Sequence, residues 1–356
     1  MNSTYKQTSD ISSKNKPVLV DALYINNSGG VRLLEYLVRI LYKRKVNFFL
    51  LADSRCAGKF DYCHTKYINA SFFRRTLFYT EYSKRYSTVF CFGNIPSPIK
   101  MNVPVYTYFH NINLLTLNEA KSKKQLLTMW LKRQVFRICK RNTDCWLVQT
   151  TNTATELCRH LKEKEERVKL MPFYELSEEL TTLKDYKHSG DYVFVANYTG
   201  AKGHEELLEA WKILHKRGIE KTLHLTVKKE IPFCQQIQDA QDLGVKVVNH
   251  GFVHFNEVIE LYRKSKAIIY PSHNESLGLG IIEAISAGCD VIGADLPYIQ
   301  AVCDPSGVFN PYSPEAIADA IVKYEIGDSP KSKLKIGNQI DELITLLNSN
   351  IETSKG

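Results

Sequence analysis

The stretch Pro271–Pro297, PSHNESLGLGIIEAISAGCDVIGADLP, follows the apolar run KAIIY (Lys266–Tyr270) and decides how the chain is read. AIIYPS ends a buried strand, HNESLGLG makes a loop, IIEAISAG is a short helix closed by Gly288, and CDVIGAD is the next strand. Strand, glycine-rich loop, helix and strand form the repeating unit of a parallel sheet. Glycines at 278 and 280 let the backbone approach a ligand, and the helix start offers free N–H groups to a phosphate. Two acids, Glu275 and Glu283, flank this anion-receiving turn. An ionised carboxylate only accepts hydrogen bonds, which suits sugar hydroxyls while the amides take a diphosphate. The residues alone equally allow both acids to do no more than complement the helix N-terminus.

The same alternation runs outward in both directions. PVLVDALYI (Pro17–Ile25) is an apolar strand and NNSGG (Asn26–Gly30) a turn. VRLLEYLVRILYKRK (Val31–Lys45) is a helix with Leu33, Leu34, Leu37, Val38 and Leu41 on one face, and VNFFLLAD (Val46–Asp53) a second strand. Further strands are expected at Ser87–Gly93, Val103–Asn111 and Asp144–Thr150. After a polar stretch the pattern restarts with the strand YVFVANY, the loop TGAKG and an amphipathic helix over His204–Gly218. The strands LHLTV and VKVVNHGFV follow. Two such runs predict an α/β chain of two Rossmann-like, doubly wound domains. The expected division is a disordered leader at 1–16, an N-terminal domain at 17–180, a linker at 181–190 and a C-terminal domain at 191–330. A C-terminal helix within 331–356 is expected to return to the first domain.

Bulk properties narrow the class. The chain has 356 residues, 44% of them hydrophobic, enough for a large core and for two domains. It has no run of about 18 apolar residues, so no transmembrane helix is expected. The polar opening MNSTYKQTSDISSKNK has no apolar h-region, so no secretory signal is expected. Nine cysteines without a CxxC pair predict reduced thiols in a cytoplasmic protein and neither a disulfide framework nor a zinc site. Charge is lopsided. Residues 1–189 carry 31 Lys and Arg against 16 Asp and Glu, whereas residues 190–356 carry 16 against 22. The basic half is expected to face something anionic.

The pair Glu275 and Glu283, spaced E-x7-E, sits in a longer run, Phe252–Ile321, that resembles the second domain of the retaining GT-B glycosyltransferases of family 4. The resemblance implies two Rossmann-like domains facing across a cleft, with a nucleotide-sugar donor on the C-terminal one. It implies that Glu275 orients the transferred sugar, that Glu283 binds the ribose, and that the backbone of Ser276, Leu277 and Gly278 receives the diphosphate. It also points to Gly29 and Gly30, after the first strand, as lying against that diphosphate; without it, GG after a strand is an ordinary turn. Lys202 is expected to grip the diphosphate, its alternative being a solvated surface lysine. Asn197 stands near where the family has an arginine, so one charge-assisted contact is missing or comes from His204 or from a basic residue of the first domain. His110 ends a strand where many members carry a histidine close to the sugar, although a lone histidine there is more often structural. Gly251 and Val253 fall where the family holds the base, or else form a plain strand-end turn.

The mechanism so implied is transfer with retention and without an assured protein nucleophile. No Asp-x-Asp ends a strand, so no metal site is expected and the donor is the only cofactor-like molecule. Residues 121–141, KSKKQLLTMWLKRQVFRICKR, interleave eight cations with apolar residues and contain no acid. They read as a helix on an anionic membrane surface, or as a core-facing helix with a solvated basic face. SFFRRTLFYTEYSKRY (Ser71–Tyr86) adds Arg74, Arg75, Lys84 and Arg85 among aromatics. Nucleic acid is not expected as a partner, because no recognition motif accompanies the charge. DALYINNSGG, ADLPY and PSGVFNPYSPEAIADAI resemble enzymes of O-antigen and capsule assembly. The expected reaction is hexosyl transfer from a UDP-sugar to a polyprenyl-diphosphate-linked glycan at the inner face of the cytoplasmic membrane. GDP-mannose is the alternative donor, and a GT-B sugar-nucleotide epimerase the alternative enzyme.

Overall fold

The computed structural model describes residues 16–26, 28–115, 130, 133–177, 180 and 189–352. The chain divides into two compact units. One runs to Glu175 and takes in the chain again from Asn338; the other is Leu176–Gly337. Residues 1–15 of the expected leader, residues 181–188 of the expected linker and most of 121–132 lie outside the described residues.

The first unit holds seven strands: β1 (Val18–Ala22), β2 (Phe48–Asp53), β3 (Thr65–Ile68), β4 (Thr88–Cys91), β5 (Val105–Phe109), β6 (Cys145–Val148) and β7 (Val168–Leu170). They lie in the order β3-β2-β1-β4-β5-β6-β7, and every pairing is parallel. Each residue of β1 is buried, as expected where helices cover both faces of a parallel sheet. Helix α1 (Ser28–Lys43) covers one face, burying Leu34, Leu37, Val38 and Leu41. Helix α2 (Phe72–Tyr82) places Phe78 and Tyr79 in a separate cluster with Leu19, Leu51 and Val89. Helix α3 (Thr151–Leu161) follows β6.

The second unit repeats the plan. Its sheet contains β8 (Tyr192–Phe194), β9 (Leu223–Leu225), β10 (Val247–Asn249), β11 (Ala267–Tyr270), β12 (Asp290–Ala294) and, beyond the short β13 (Cys303–Asp304), β14 (Gly307–Phe309). The order is β10-β9-β8-β11-β12-β14, again all parallel. Helices α4 (His204–Lys216), α5 (Phe233–Asp242), α6 (Phe255–Lys264), α7 (Leu279–Ser286), α8 (Pro297–Val302) and α9 (Pro314–Ile326) connect the strands. A two-residue strand β15 (Lys333–Leu334) pairs antiparallel with β13. Helix α10 (Ile340–Glu352) then lays Ile340, Leu343, Ile344 and Leu347 into the α1 side of the first unit's core.

Two Rossmann-like parallel sheets are therefore present, as the alternating pattern predicts. Strand order reverses between β1 and β4, and again between β8 and β11, and in such sheets ligands sit beyond the carboxyl ends at that reversal. Three details differ from the sequence reading. Strands are shorter than their apolar runs, because the flanking residues turn into loops. Strands β3 and β7 were not expected: TKYI and VKL are edge strands with no fully buried residue, so they lack the continuous apolar signal of a central strand. Helix α1 begins at Ser28, so Gly29 and Gly30 lie in its first turn and not in a loop before it. All nine cysteines are free thiols, and none is exposed.

Candidate functional site

In the second unit, the loop after β8 carries Asn197, which is exposed, and a single 3-10 turn over Gly200–Lys202. Gly203, in the left-handed region at φ +70°, caps α4. A Cβ there would stand 2.7 Å from the carbonyl oxygen of Pro271, so glycine is what lets this loop close on the loop after β11. The His273 N–H donates to the Ala201 carbonyl at 2.8 Å and fixes the contact. The result is an ion pair at the strand-order reversal. Lys202 Nζ donates to Glu275 Oε1, and the Tyr270 hydroxyl donates to the same oxygen at 3.1 Å. The side chains of Lys202 and Glu275 are 27% and 15% exposed, so the pair is partly desolvated yet open to a ligand. Burial, aided by Glu275, pushes the Tyr270 hydroxyl well above its usual pKa and keeps it a donor.

Beyond Glu275 the chain passes half-buried Ser276 and buried Leu277 into Gly278, whose φ of +67° is the N-cap of α7. The first turn of α7 contains no acid, and Glu283 lies one turn further in, 5% exposed. The two acids therefore do not share the role of complementing the helix N-terminus: Glu275 pairs with Lys202, and Glu283 is a buried side chain of the helix. Gly280 passes close to Tyr262 and Tyr270, where a Cβ would be 3.2 Å from the Tyr262 hydroxyl. Gly251, at φ +74°, and the half-buried Val253 follow β10 on the same sheet edge, Gly251 packing beside Lys229 of the loop after β9.

His204 does not replace the arginine absent at Asn197. It is 1% exposed and packed among Phe194, Tyr198 and Phe233, with ring centroids 4.9, 5.4 and 5.9 Å away. Burial drops its pKa to about 4, so at neutral pH it carries no charge.

In the first unit, Gly29 and Gly30 open α1, whose first turn also has no acid. Gly29 is exposed, and a Cβ on it would meet nothing within 4 Å. His110 follows β5 and lies beside Phe92 and Tyr108, with centroids at 5.0 and 5.5 Å. Burial lowers its pKa to about 4, so it is neutral. Asn94 holds it from both sides. The Asn94 carboxamide oxygen accepts the His110 backbone N–H at 2.8 Å, and its nitrogen lies 3.4 Å from His110 Nε2. That geometry makes Nε2 the acceptor and leaves the ring proton on Nδ1.

A buried charge organises these loops. Arg75 and Asp21 are each 1% exposed, with Arg75 Nε 2.7 Å from Asp21 Oδ2. The guanidinium also donates to the carbonyls of Ile95 and Pro96, and the Tyr79 hydroxyl donates to Asp21 at 2.6 Å. Arg75 is thus not part of a basic surface, contrary to the reading of Ser71–Tyr86. Of the basic segment 121–141, only Trp130 and 133–141 are described; Trp130 and Ile138 are 50% and 71% exposed, whereas Phe136 is buried. Asn94, Tyr270 and the Asp21–Arg75 pair were all missed from sequence. Only Arg75 left a trace there, by sharing helical phase with Phe78 and Tyr79.

Comparison with known proteins fits this geometry. The profile of the glycosyl transferases group 1 family matches residues 182–341, which contain Lys202, Glu275 and Glu283. Those residues are a group 1 glycosyl transferase domain. The serotype-specific mannosyltransferase WbdA of Escherichia coli is 26% identical over 150 residues, 40% of this chain but 18% of its own length. The O-antigen chain mannosyltransferase RfbU of Salmonella typhimurium is 34% identical over 92 residues, 26% of either chain. The chain thus spans only about a fifth to a quarter of these two relatives. Among solved structures, Anabaena HepE in complex with UDP and glucose superposes with a TM-score of 0.61 at 12% identity, covering 95% of this chain and 94% of that one. The group 1 domain thus lies in a chain of GT-B fold, two Rossmann-like units of seven and six parallel strands.

Proposed function

We propose that this chain is a retaining glycosyltransferase that moves a hexose from a nucleotide-sugar to a lipid-diphosphate-linked glycan in cell-surface polysaccharide assembly. The observation that carries the reading is the Lys202–Glu275–Tyr270 cluster at the strand-order reversal of a group 1 domain. Before donor binds, Lys202 and Glu275 satisfy one another. A donor diphosphate reaching the start of α7 competes for Lys202, drawing the ammonium away and leaving Glu275 to accept from sugar hydroxyls. Lys202 and the amides at the start of α7 stabilise the departing diphosphate, Glu283 holds the ribose, and Gly251 and Val253 meet the base. His110, neutral and fixed by Asn94, takes a place beside the sugar. Catalysis in this reading needs no metal.

The relatives named as mannosyltransferases favour GDP-mannose as donor over a UDP-hexose, reversing the order expected from sequence. A UDP-hexose remains the second reading, supported by the fold shared with a UDP complex. Among the described residues no helix is long and apolar enough to cross a membrane. The reading places the chain at the inner face of the cytoplasmic membrane, supported by the excess of Lys and Arg in residues 1–189. A screen of nucleotide-sugars with a defined lipid-diphosphate sugar acceptor, read as free nucleotide, tests the whole reading. One donor should turn over and continue to do so in EDTA. Turnover of none, with no donor shifting the melting temperature, would refute it.

A further inference from the structure

Two adjacent arginines of α2 lie in opposite settings. Arg75 is locked inside on Asp21, whereas Arg74 is exposed and its guanidinium makes no ion pair among the described residues. Arg74 borders a cavity of about 380 Å³ between α2 and the carboxyl ends of β2 and β3. Ile68, Leu77 and Phe78 give the cavity apolar walls. Lys66 is the second cation on it, its ammonium 5.6 Å from the Phe78 ring centroid and 4.7 Å from that of Tyr82. Glu81 is the single acid, so cations lead two to one.

The helix beside this cavity is unusual in what it leaves uncovered. Phe73 is 70% exposed, Leu77 50% and Phe72 39%. Phe73 and Leu77 are one turn apart and share a face. Lys84 and the ring-stacked Arg85, 4.8 Å from the Tyr82 centroid, continue the positive charge beyond the helix end. Apolar side chains standing clear of the surface, rimmed by cations, match a bilayer interface, where rings enter the headgroup layer and basic residues meet lipid phosphate.

We propose that the α2–β3 cavity is a lipid-phosphate site. An anionic membrane lipid places its phosphate on Arg74 and Lys66, while Phe73 and Leu77 enter the hydrocarbon boundary alongside its chain. The guanidinium fork suits a phosphate, and the apolar wall suits the first methylenes behind it. The inference deepens the reading of a membrane-linked acceptor and moves the docking surface from 121–141 to α2. Vesicle binding is measured without donor or acceptor, so its failure and the failure of the transferase reading are separate results.

The test is co-sedimentation of the full chain with phosphatidylcholine vesicles, with and without phosphatidylglycerol. Binding is expected only to the anionic vesicles, weakening with added salt. Arg74→Glu, and separately the double substitution Phe73→Ser with Leu77→Ser, should each lower vesicle affinity about tenfold or more. All three positions are exposed, so melting temperatures should stay at the wild-type value and separate lost docking from lost fold. Variants that bind as wild type does, wild-type binding that ignores lipid charge, or no binding at all would overturn the proposal. So would loss of binding only on substitution within 121–141. Dissociation of a dimer by the same α2 variants would assign the face to a second copy and overturn it too.

Discussion

The two units solve one topological problem with different materials. At the β1/β4 reversal, loop geometry is set by a charge pair fully withdrawn from water: Arg75 on Asp21, with Ile95 and Pro96 carbonyls filling the rest of the guanidinium. Gly93 completes the lock, because a Cβ there would stand 2.3 Å from the Leu23 carbonyl oxygen. At the β8/β11 reversal the pair is Lys202 on Glu275, partly exposed and, among the described residues, without such a shell of carbonyls. A buried pair that loses one member leaves an uncompensated charge, whereas a half-exposed pair can exchange its partner for a ligand. The charge pair at the first reversal is therefore fixed in the core, and the one at the second is free to exchange its partner.

Breaking the lock should have the largest effect. Arg75→Ala strands Asp21 in the core and removes the donors to two loop carbonyls. A loss of about 3–5 kcal/mol in unfolding free energy is expected from denaturant titration. A loss under about 1 kcal/mol would mean that the loops hold themselves. Glu275→Ala is the matching break in the second unit. Stability should fall by no more than about 1–2 kcal/mol, the cost of one part-exposed pair and one orphaned tyrosine donor. Transfer should nevertheless drop at least about 100-fold, as when a group aimed at the reacting centre is removed. Retained turnover would take Glu275 out of the site.

Much of this contrast was legible in sequence, and the limits have physical causes. The α7 turn was readable because its glycines, flanking strands and acids are contiguous, and local order there is dictated locally. The Lys202–Glu275 pair was not, since 73 residues separate its members and only the fold brings their loops together. Asn94 escaped because its role depends on φ +66°, a left-handed conformation that asparagine tolerates without demanding it. Arg74 and Arg75 look identical as letters. The phase of α2, with Phe78 and Tyr79 inward, decides which is core and which is surface.

Acid separates the units less than their ion pairs do. His110 in the first and His204 in the second both have pKa values lowered to about 4, mainly by burial. A histidine depressed in the fold takes up its proton more readily when unfolded. Its stabilising contribution is therefore full above the unfolded value, near 6.5, and is lost as pH falls from there through 4. Each is worth at most roughly 3 kcal/mol across that window. Denaturation midpoints measured between pH 7 and 4 should fall for wild type. The slope should become shallower for His204→Phe, which fits among the rings already packed there. An unchanged slope would place the acid sensitivity of the second unit elsewhere.

The smallest expected effect on stability is the most informative about the ligand. At α7, Gly278 is required by the fold: φ is +67°, and a Cβ would press to 2.8 Å from Ile281 Cδ1. At α1, Gly29 sits in a helical turn, and a Cβ on it meets only open space. Nothing within the first unit's packing asks for glycine at that position. Gly29→Ala should therefore leave stability unchanged or raise it by about 0.5 kcal/mol, since alanine is the better helix former. If the open space is where a donor diphosphate approaches the α1 amides, the same methyl should raise KM for the nucleotide-sugar several-fold. Stability held or raised while KM rises would locate the ligand at the helix start. A stabilised variant with unaltered KM would leave α1 a structural helix and confine the diphosphate to the α7 turn and Lys202.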